Sequence, residues 1–135
     1  MLNVYVINLK NSTERLKTTS ARLTELGISF ERFDAVDGRK TPHPLFARYN
    51  DQLREKYRRK KLSSAELGCF SSHFLLWQHC VDLDQPLVVM EDDVIIDSTL
   101  TEALEIAAKK IDKLKFLRLA GTILKRRPFK TLETC

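Results

Sequence analysis

The sequence predicts an α/β domain in which a mostly parallel sheet is flanked by helices. Three observations carry this expectation. A strand, helix, strand succession fills the first third of the chain; a strongly capped amphipathic helix opens at Ser63; and an uninterrupted apolar run of strand length, Pro86 to Met90, leads into three acids. Strands that alternate with helices lie parallel, and a strand without polar alternation has both faces covered.

In order, Val4 to Leu9 is a β-branched-rich apolar strand, followed by Asn11, which the spacing makes the cap of a helix with Glu14 as its capping-box partner. Leu16, Leu23 and Leu26 lie on one side of that helix, and Gly27 supplies the left-handed residue that stops it. Ile28 to Phe33 reads as the second strand and runs into Asp34-Ala35-Val36-Asp37-Gly38. Residues 39–61, interrupted by Pro42 and Pro44, read as an irregular connection over the sheet edge that turns helical from about Pro44. Ser63-Ser64-Ala65-Glu66 is a capping box, with Leu62 and Leu67 at the staple positions. Leu67, Phe70, Phe74, Trp77 and Val81 then recur at helical spacing, which predicts a stripe facing the core with Trp77 inside it. After the strand at Pro86 to Met90, a helix is expected on Leu100, Leu104, Ala107, Ala108 and Ile111, and a last strand on Lys115 to Ala120.

A chain of 135 residues, 43% apolar and 30% charged, suits one soluble domain, and residues 1–135 are read as such, without internal repeat or linker. The amino-terminal apolar run lacks a basic leader and a cleavage site, and no apolar run approaches the roughly 20 residues of a membrane span, so a cytoplasmic protein is expected. Three cysteines, Cys69, Cys80 and Cys135, form neither a disulfide framework nor a structural zinc pattern and are expected as free thiols. The net charge of +5 gathers at residues 54–61 and 125–130, clusters that attract phosphate on nucleic acid, anionic lipid or a charged glycolipid. An ordinary solvated helix face is the bland reading, and by charge runs alone the favoured one.

In an open α/β sheet, ligands bind beyond the carboxyl ends of the strands, which is where Glu91-Asp92-Asp93 stands. If the chain stays extended there, Glu91 and Asp93 point to one side and Asp92 to the other. Two such carboxylates suit a hard divalent cation that keeps positions open for phosphate oxygens. A solvated acidic turn is the competing reading. Asp37-Gly38 is by itself a turn signal. On the capped helix, Glu66, Cys69 and His73 fall along one face, with His73 able to donate to a phosphate or hydroxyl and Cys69 read as a packing residue.

Four blocks in order are together far more specific than any one of them. They are Val4 to Lys10 with Glu14-Arg15; Phe33 to Gly38; Leu62 to Cys69 with Ser72-His73 and Trp77; and Val89 to Val94. Jointly they resemble glycosyltransferase family 25, over residues 1 to about 97. The resemblance implies a GT-A-like, Rossmann-type sheet and transfer of a hexose, galactose above all, from a UDP-sugar to a lipooligosaccharide or lipopolysaccharide acceptor with inversion. It implies Mn²⁺ or Mg²⁺ at the acidic triplet, with Glu91 and Asp93 as metal ligands, Asp93 foremost, and Asp92 with the donor. Asn8, Leu9 and Arg15, with Asp34, Asp37 and Gly38, would surround the uridine and ribose. Direct displacement needs a general base; Asp37, Glu66 and His73 are the candidates. The family is longer than this chain, so a domain lacking the acceptor-side portion and of low activity alone is expected, peripheral at most on the inner face of the bacterial inner membrane.

Two rivals come from other classes. A basic nucleic-acid or anionic-surface module lacks any nucleic-acid motif here, so no nucleic acid is expected, and a phosphoryl-transfer enzyme lacks a phosphate-cradling Gly-rich loop.

Overall fold

A computed structural model describes residues 2–40 and 42–121. Its elements are β1 (Asn3–Asn8), α1 (Thr13–Glu25), β2 (Glu31–Asp34), a 3-10 turn (Pro44–Arg48), α2 (Asp51–Arg58), α3 (Ser64–Leu83), β3 (Leu87–Glu91) and α4 (Leu100–Leu114). The strands form a parallel sheet of three, in the order β2-β1-β3. The expected α/β architecture with a parallel sheet is therefore present, consistent with a Rossmann-like GT-A fold.

Alternation along β1 builds the layers. Val4 and Val6 pack with Leu23 and Ile28, joined by Val88, Met90, Leu100 and Leu104, while Tyr5 and Ile7 pack with Leu76, joined by Phe33, Leu87 and Val89. One face of the sheet thus receives α1 and α4, and the other receives α3. A central strand covered on both sides needs no polar alternation, and five of its six residues are buried.

Helix α1 ends as the sequence predicts. Gly27 sits at φ 68°, its N–H donating to Thr24 O (3.0 Å), while the N–H of Ile28 donates to Leu23 O (2.9 Å). These two bonds are the Schellman pattern, which takes up carbonyls the helix leaves unpaired. Its start differs from expectation. The capping residue is Ser12, not Asn11, and its side chain makes no capping bond. Instead, the Ser12 N–H donates to Leu9 O (2.8 Å) and the Ser12 carbonyl accepts from Asn8 Nδ2 (2.9 Å). The tight turn out of β1 fixes the entry to the helix and makes a side-chain cap dispensable.

Three further expectations are corrected. The second strand begins at Glu31 rather than Ile28, because Ile28 closes the end of α1. The connection after residue 39 is more regular than foreseen, with the 3-10 turn followed by a helix that Asn50 caps through Leu53 N–H (2.9 Å). Lys115 to Ala120 joins no ladder among the described residues: Lys115 at φ 62° closes α4, and an apolar run becomes a strand only where a neighbour takes its backbone groups.

The largest correction concerns α3. Its capping box forms in full, Ser63 N–H donating to Glu66 Oε2 (2.7 Å) and Glu66 N–H to Ser63 Oγ (3.2 Å). Yet the face against the sheet is Gly68, Ser71, Ser72 and Leu76, whereas Trp77 is 50% and Val81 71% exposed. The small residues let the helix backbone approach closely, which turns the aromatic stripe outward, where Arg48 lies over the Phe74 ring at 5.1 Å.

Candidate functional site

The carboxyl ends of all three strands meet around Asn8, the last residue of β1 and 1% exposed. Its Nδ2 donates to Asp92 Oδ2 (2.7 Å), and its Oδ1 accepts from Arg32 Nε (2.9 Å). The main-chain carbonyl of Asn8 accepts from Arg32 (3.1 Å) and from Ala35 N–H (3.0 Å). A buried amide with every group partnered holds one orientation. Asn8 thereby fastens the acidic turn after β3 to β2.

Strand β3 stops at Glu91, so the extended continuation that would align Glu91 with Asp93 does not occur. By alternation, Glu91 shares the face of Leu87 and Val89 and turns toward α3. There its Oε1 lies 2.8 Å from His73 Nε2 and accepts from the Cys69 thiol at 3.4 Å. Asp92 turns the other way; its carbonyl accepts from Thr19 (3.0 Å) and its carboxylate lies 3.6 Å from Arg15. Asp93, more exposed, lies 3.8 Å from the same guanidinium. Arg15 thus joins Asp92 and Asp93 as a pair, and Glu91 stands with α3. Burial, reinforced by the charge of Glu91 and its hydrogen bond, pushes the Cys69 thiol up to about 11. It remains a neutral thiol near pH 7, on an exposed residue.

Beside Asn8, a cleft of about 440 Å³ is lined by Leu9, Lys10, Asn11, Ser12, Asp34, Ala35, Asp37, Arg39 and Lys40. Leu9, Asp34 and Asp37, singled out from the sequence, meet in it. Asp34 accepts from Arg32 at 2.7 Å. Asp37 feels some desolvation, which raises its pKa, but hydrogen bonds from the Arg39 backbone and side chain and the charges of Arg39 and Lys40 hold it below the usual carboxylate range. Gly38 lies against the first turn of α3 rather than in the cleft. A Cβ there would overlap the Ser64 carbonyl, and one on Gly68 would overlap the Val36 carbonyl and come within 2.8 Å of Gly38 N. Ser72 Oγ, fully buried, accepts from Val36 N–H (2.9 Å) and donates to Gly68 O (2.8 Å). The glycine of the second block and the glycine of the third are therefore one contact.

Among the three base candidates, Glu66 is engaged by the helix cap, and its bonds from Ser63 lower its pKa; Asp37 is held by Arg39; His73 meets Glu91. Sequence reading missed Arg32 and Thr19, and it gave Ser72 a place in the third block but no role. Arg32 carried one signal, a charge inside a strand, which needs a partner.

Basic residues 54–61 fall on exposed α2 and the turn after it, where Lys61 pairs with Asp51 at 3.0 Å; residues 125–130 lie outside the described residues. No described helix is long and apolar enough to cross a membrane.

Comparison with known proteins identifies the family. Residues 1–133 match the family described as Glycosyltransferase family 25 (LPS biosynthesis protein). A "Glycosyltransferase 25 family member" of Anopheles gambiae is 32% identical over 97 residues, covering 68% of this chain and 16% of that protein. "Lipooligosaccharide biosynthesis protein lic2B" of Haemophilus influenzae is 34% identical over 116 residues, 81% of this chain and 42% of that one. "Procollagen galactosyltransferase 2" of Mus musculus is 30% identical over 115 residues, 82% and 18% respectively. The chain thus spans less than half the length of these relatives. With four blocks gathered at one sheet end and a family match across nearly the whole sequence, the chain belongs to glycosyltransferase family 25.

Proposed function

We propose that this chain forms the donor side of a glycosyltransferase that moves a hexose, galactose foremost, from a UDP-sugar to a lipooligosaccharide or lipopolysaccharide acceptor, with inversion. The observation that supports this most is the meeting of the acidic turn and the cleft around Asn8 at the carboxyl ends of parallel strands. In this reading the uridine and ribose occupy the cleft near Leu9, Asp34 and Asp37, while Arg15, Arg39 and Lys40 face the diphosphate. A residence at the inner face of the inner membrane, with the basic α2 toward anionic lipid, belongs to the same proposal.

Hard divalent cations prefer carboxylate oxygens with open positions beside them. Asp92 and Asp93 fit this donor set: they are adjacent carboxylates at the end of β3, and Asp93 is more than half exposed, with Arg15 the cation that an ion would have to displace or share them with. Asp93 is accordingly the direct ligand for Mn²⁺ or Mg²⁺ and Asp92 the supporting one, while Glu91, also expected as a ligand, is turned toward His73. When bound, such an ion neutralises the leaving diphosphate. Arg15 supplies positive charge to the same region, and the Asn8 amide holds Asp92 in place.

The test is a titration of UDP, UDP-galactose and UDP-glucose, with oligonucleotides as control, with and without Mn²⁺. UDP should bind in a Mn²⁺-dependent manner, and Asp93→Asn should abolish that dependence while leaving the melting temperature nearly unchanged. Unaltered Mn²⁺-dependent binding in that variant removes Asp93 from the role. Tight binding of oligonucleotides but not UDP would replace this reading with the anionic-surface one. Transfer to a terminal lipooligosaccharide sugar is expected to be weak for residues 1–135 compared with a family-length chain. Full activity would make Asp37, Glu66 and His73 the first residues to mutate for the base.

A further inference from the structure

On the opposite side of the sheet from the aspartate pair, the Cys69 sulfur, a His73 ring nitrogen and a Glu91 oxygen all lie within 4.8 Å of one another. Cys69 and His73 are one helical turn apart on α3, so their side chains project from the same face. Glu91 is the last residue of β3, and strand alternation sends it to that face. His73 Nε2 is 2.8 Å and Cys69 Sγ 3.4 Å from the same carboxylate oxygen. Ligand atoms of a tetrahedral zinc site at ordinary bond lengths stand about 3.3 to 3.6 Å apart. To surround an ion, the His73–Glu91 edge must open from 2.8 Å and the Cys69–His73 edge, within 4.8 Å, must settle at that spacing, which side-chain rotation on one helix face and one strand end can supply.

We propose that Cys69, His73 and Glu91 form a binding site for a thiophilic divalent cation of the Zn²⁺ class, separate from the hard-cation pair Asp92 and Asp93. The ligand chemistry makes the distinction. Thiolate and imidazole favour zinc and its softer neighbours, whereas Mg²⁺ and Mn²⁺ favour carboxylate and water. Three protein ligands leave a fourth position for water, the arrangement of an open zinc site rather than a closed structural one. Exposure of Cys69 gives the ion a path in. On binding, the Cys69 thiol loses its proton to solvent, and the imidazole carries its remaining proton on Nδ1, freeing Nε2 to coordinate. One proton is released per ion bound by a neutral histidine. The site does not depend on nucleotide binding, so its test stands apart from that of the donor site.

The experiment titrates the full chain with Zn²⁺ alone against a chromophoric chelator, and with Co²⁺ as a spectroscopic substitute. Zn²⁺ should bind at one equivalent, and Co²⁺ should show sulfur-to-metal charge transfer in the near ultraviolet. Cys69→Ser and His73→Gln should each weaken Zn²⁺ by more than about tenfold, and Cys69→Ser should remove the charge-transfer band. Cys80→Ser and Asp93→Asn should leave both signals unchanged. Circular dichroism of each variant verifies folding, and two independent ligand variants guard against one failing to fold. Zn²⁺ affinity indifferent to both ligand variants, or abolished by Asp93→Asn alone, overturns the proposal.

Discussion

Helices α1 and α3 pack on opposite faces of the same central strand, yet they do so by different means. Helix α1 inserts Leu23, fully buried, into a cluster of branched side chains. Helix α3 presents glycine and serine along most of its contact and inserts one large residue, Leu76, also fully buried. The first is large-residue packing and leaves an apolar period legible in the sequence. The second is close approach of backbones, and there the apolar stripe of the helix stays off the sheet, half-buried at Leu67, Phe70 and Phe74 and exposed at Trp77 and Val81. Hydrophobic periodicity identifies a helix in both cases but identifies the buried face only where packing is by large residues.

The sharpest way to break this comparison is to truncate the two anchors. Leu23→Ala and Leu76→Ala should each cost about 3 to 5 kcal/mol in urea unfolding, since each leaves a cavity in a covered layer. A loss below about 1 kcal/mol for Leu76→Ala would show that α3 is not seated on the sheet by this residue. Next in size, Gly38→Ala should cost about 3 kcal/mol, because its methyl meets the Ser64 backbone, which cannot give way as a flexible side chain would. Gly27→Ala, with open space around it, carries instead only the strain of its left-handed backbone, about 1 kcal/mol. A Gly38 variant as mild as the Gly27 one would mean that the loop and helix separate without penalty.

A smaller effect concerns the start of α3. Ser63→Ala should cost about 1 kcal/mol by the same unfolding measurement. Because the Ser63 bonds lower the pKa of Glu66 beneath its ordinary 4.5, that carboxylate's contribution is present above 4.5 and is lost as the pH falls through the lower, folded-state value. The melting-temperature difference between the parent and Glu66→Gln should therefore be present at neutral pH and close in acid. A pH-independent difference would detach Glu66 from the cap. Smallest of all, Trp77→Ala should change stability by about 1 kcal/mol or less, as befits a half-exposed residue. A loss of 3 kcal/mol or more would return the aromatic stripe to the core and erase the contrast between the helices.

The same contrast explains what was legible. The β-branched apolar pattern of β1, the Gly27 stop of α1 and the Ser63 capping box are each written within a few residues, so their signals lie whole in a short window. The orientation of α3 depends on Gly38 meeting Gly68, a relation between distant positions that no window contains. At the site, Leu9, Asp34 and Asp37 were drawn together by the family resemblance of their blocks, and the cleft brings them together in space. The division of the acidic triplet was not legible, because it turns on where β3 stops being extended. Arg32 and Thr19 were missed for the same reason: their partners are Asn8 and the carbonyl of Asp92, and only the assembled sheet brings these into reach.

The central position of β1 also sets an order in time. Its pairing with β2 requires one intervening helix, whereas the bond from Asn8 to Asp92 spans 84 residues. Closing a longer loop costs more entropy, by about 0.6 kcal/mol for each doubling, and contacts between remote segments form slowly. On a chain emerging from the ribosome, β1, α1 and β2 can associate before the acidic turn has been synthesised. Asn8 then waits as an unfilled socket, and arrival of β3 adds the third described strand and brings the acids to the cleft, so that the acidic turn is assembled after the first two strands have paired.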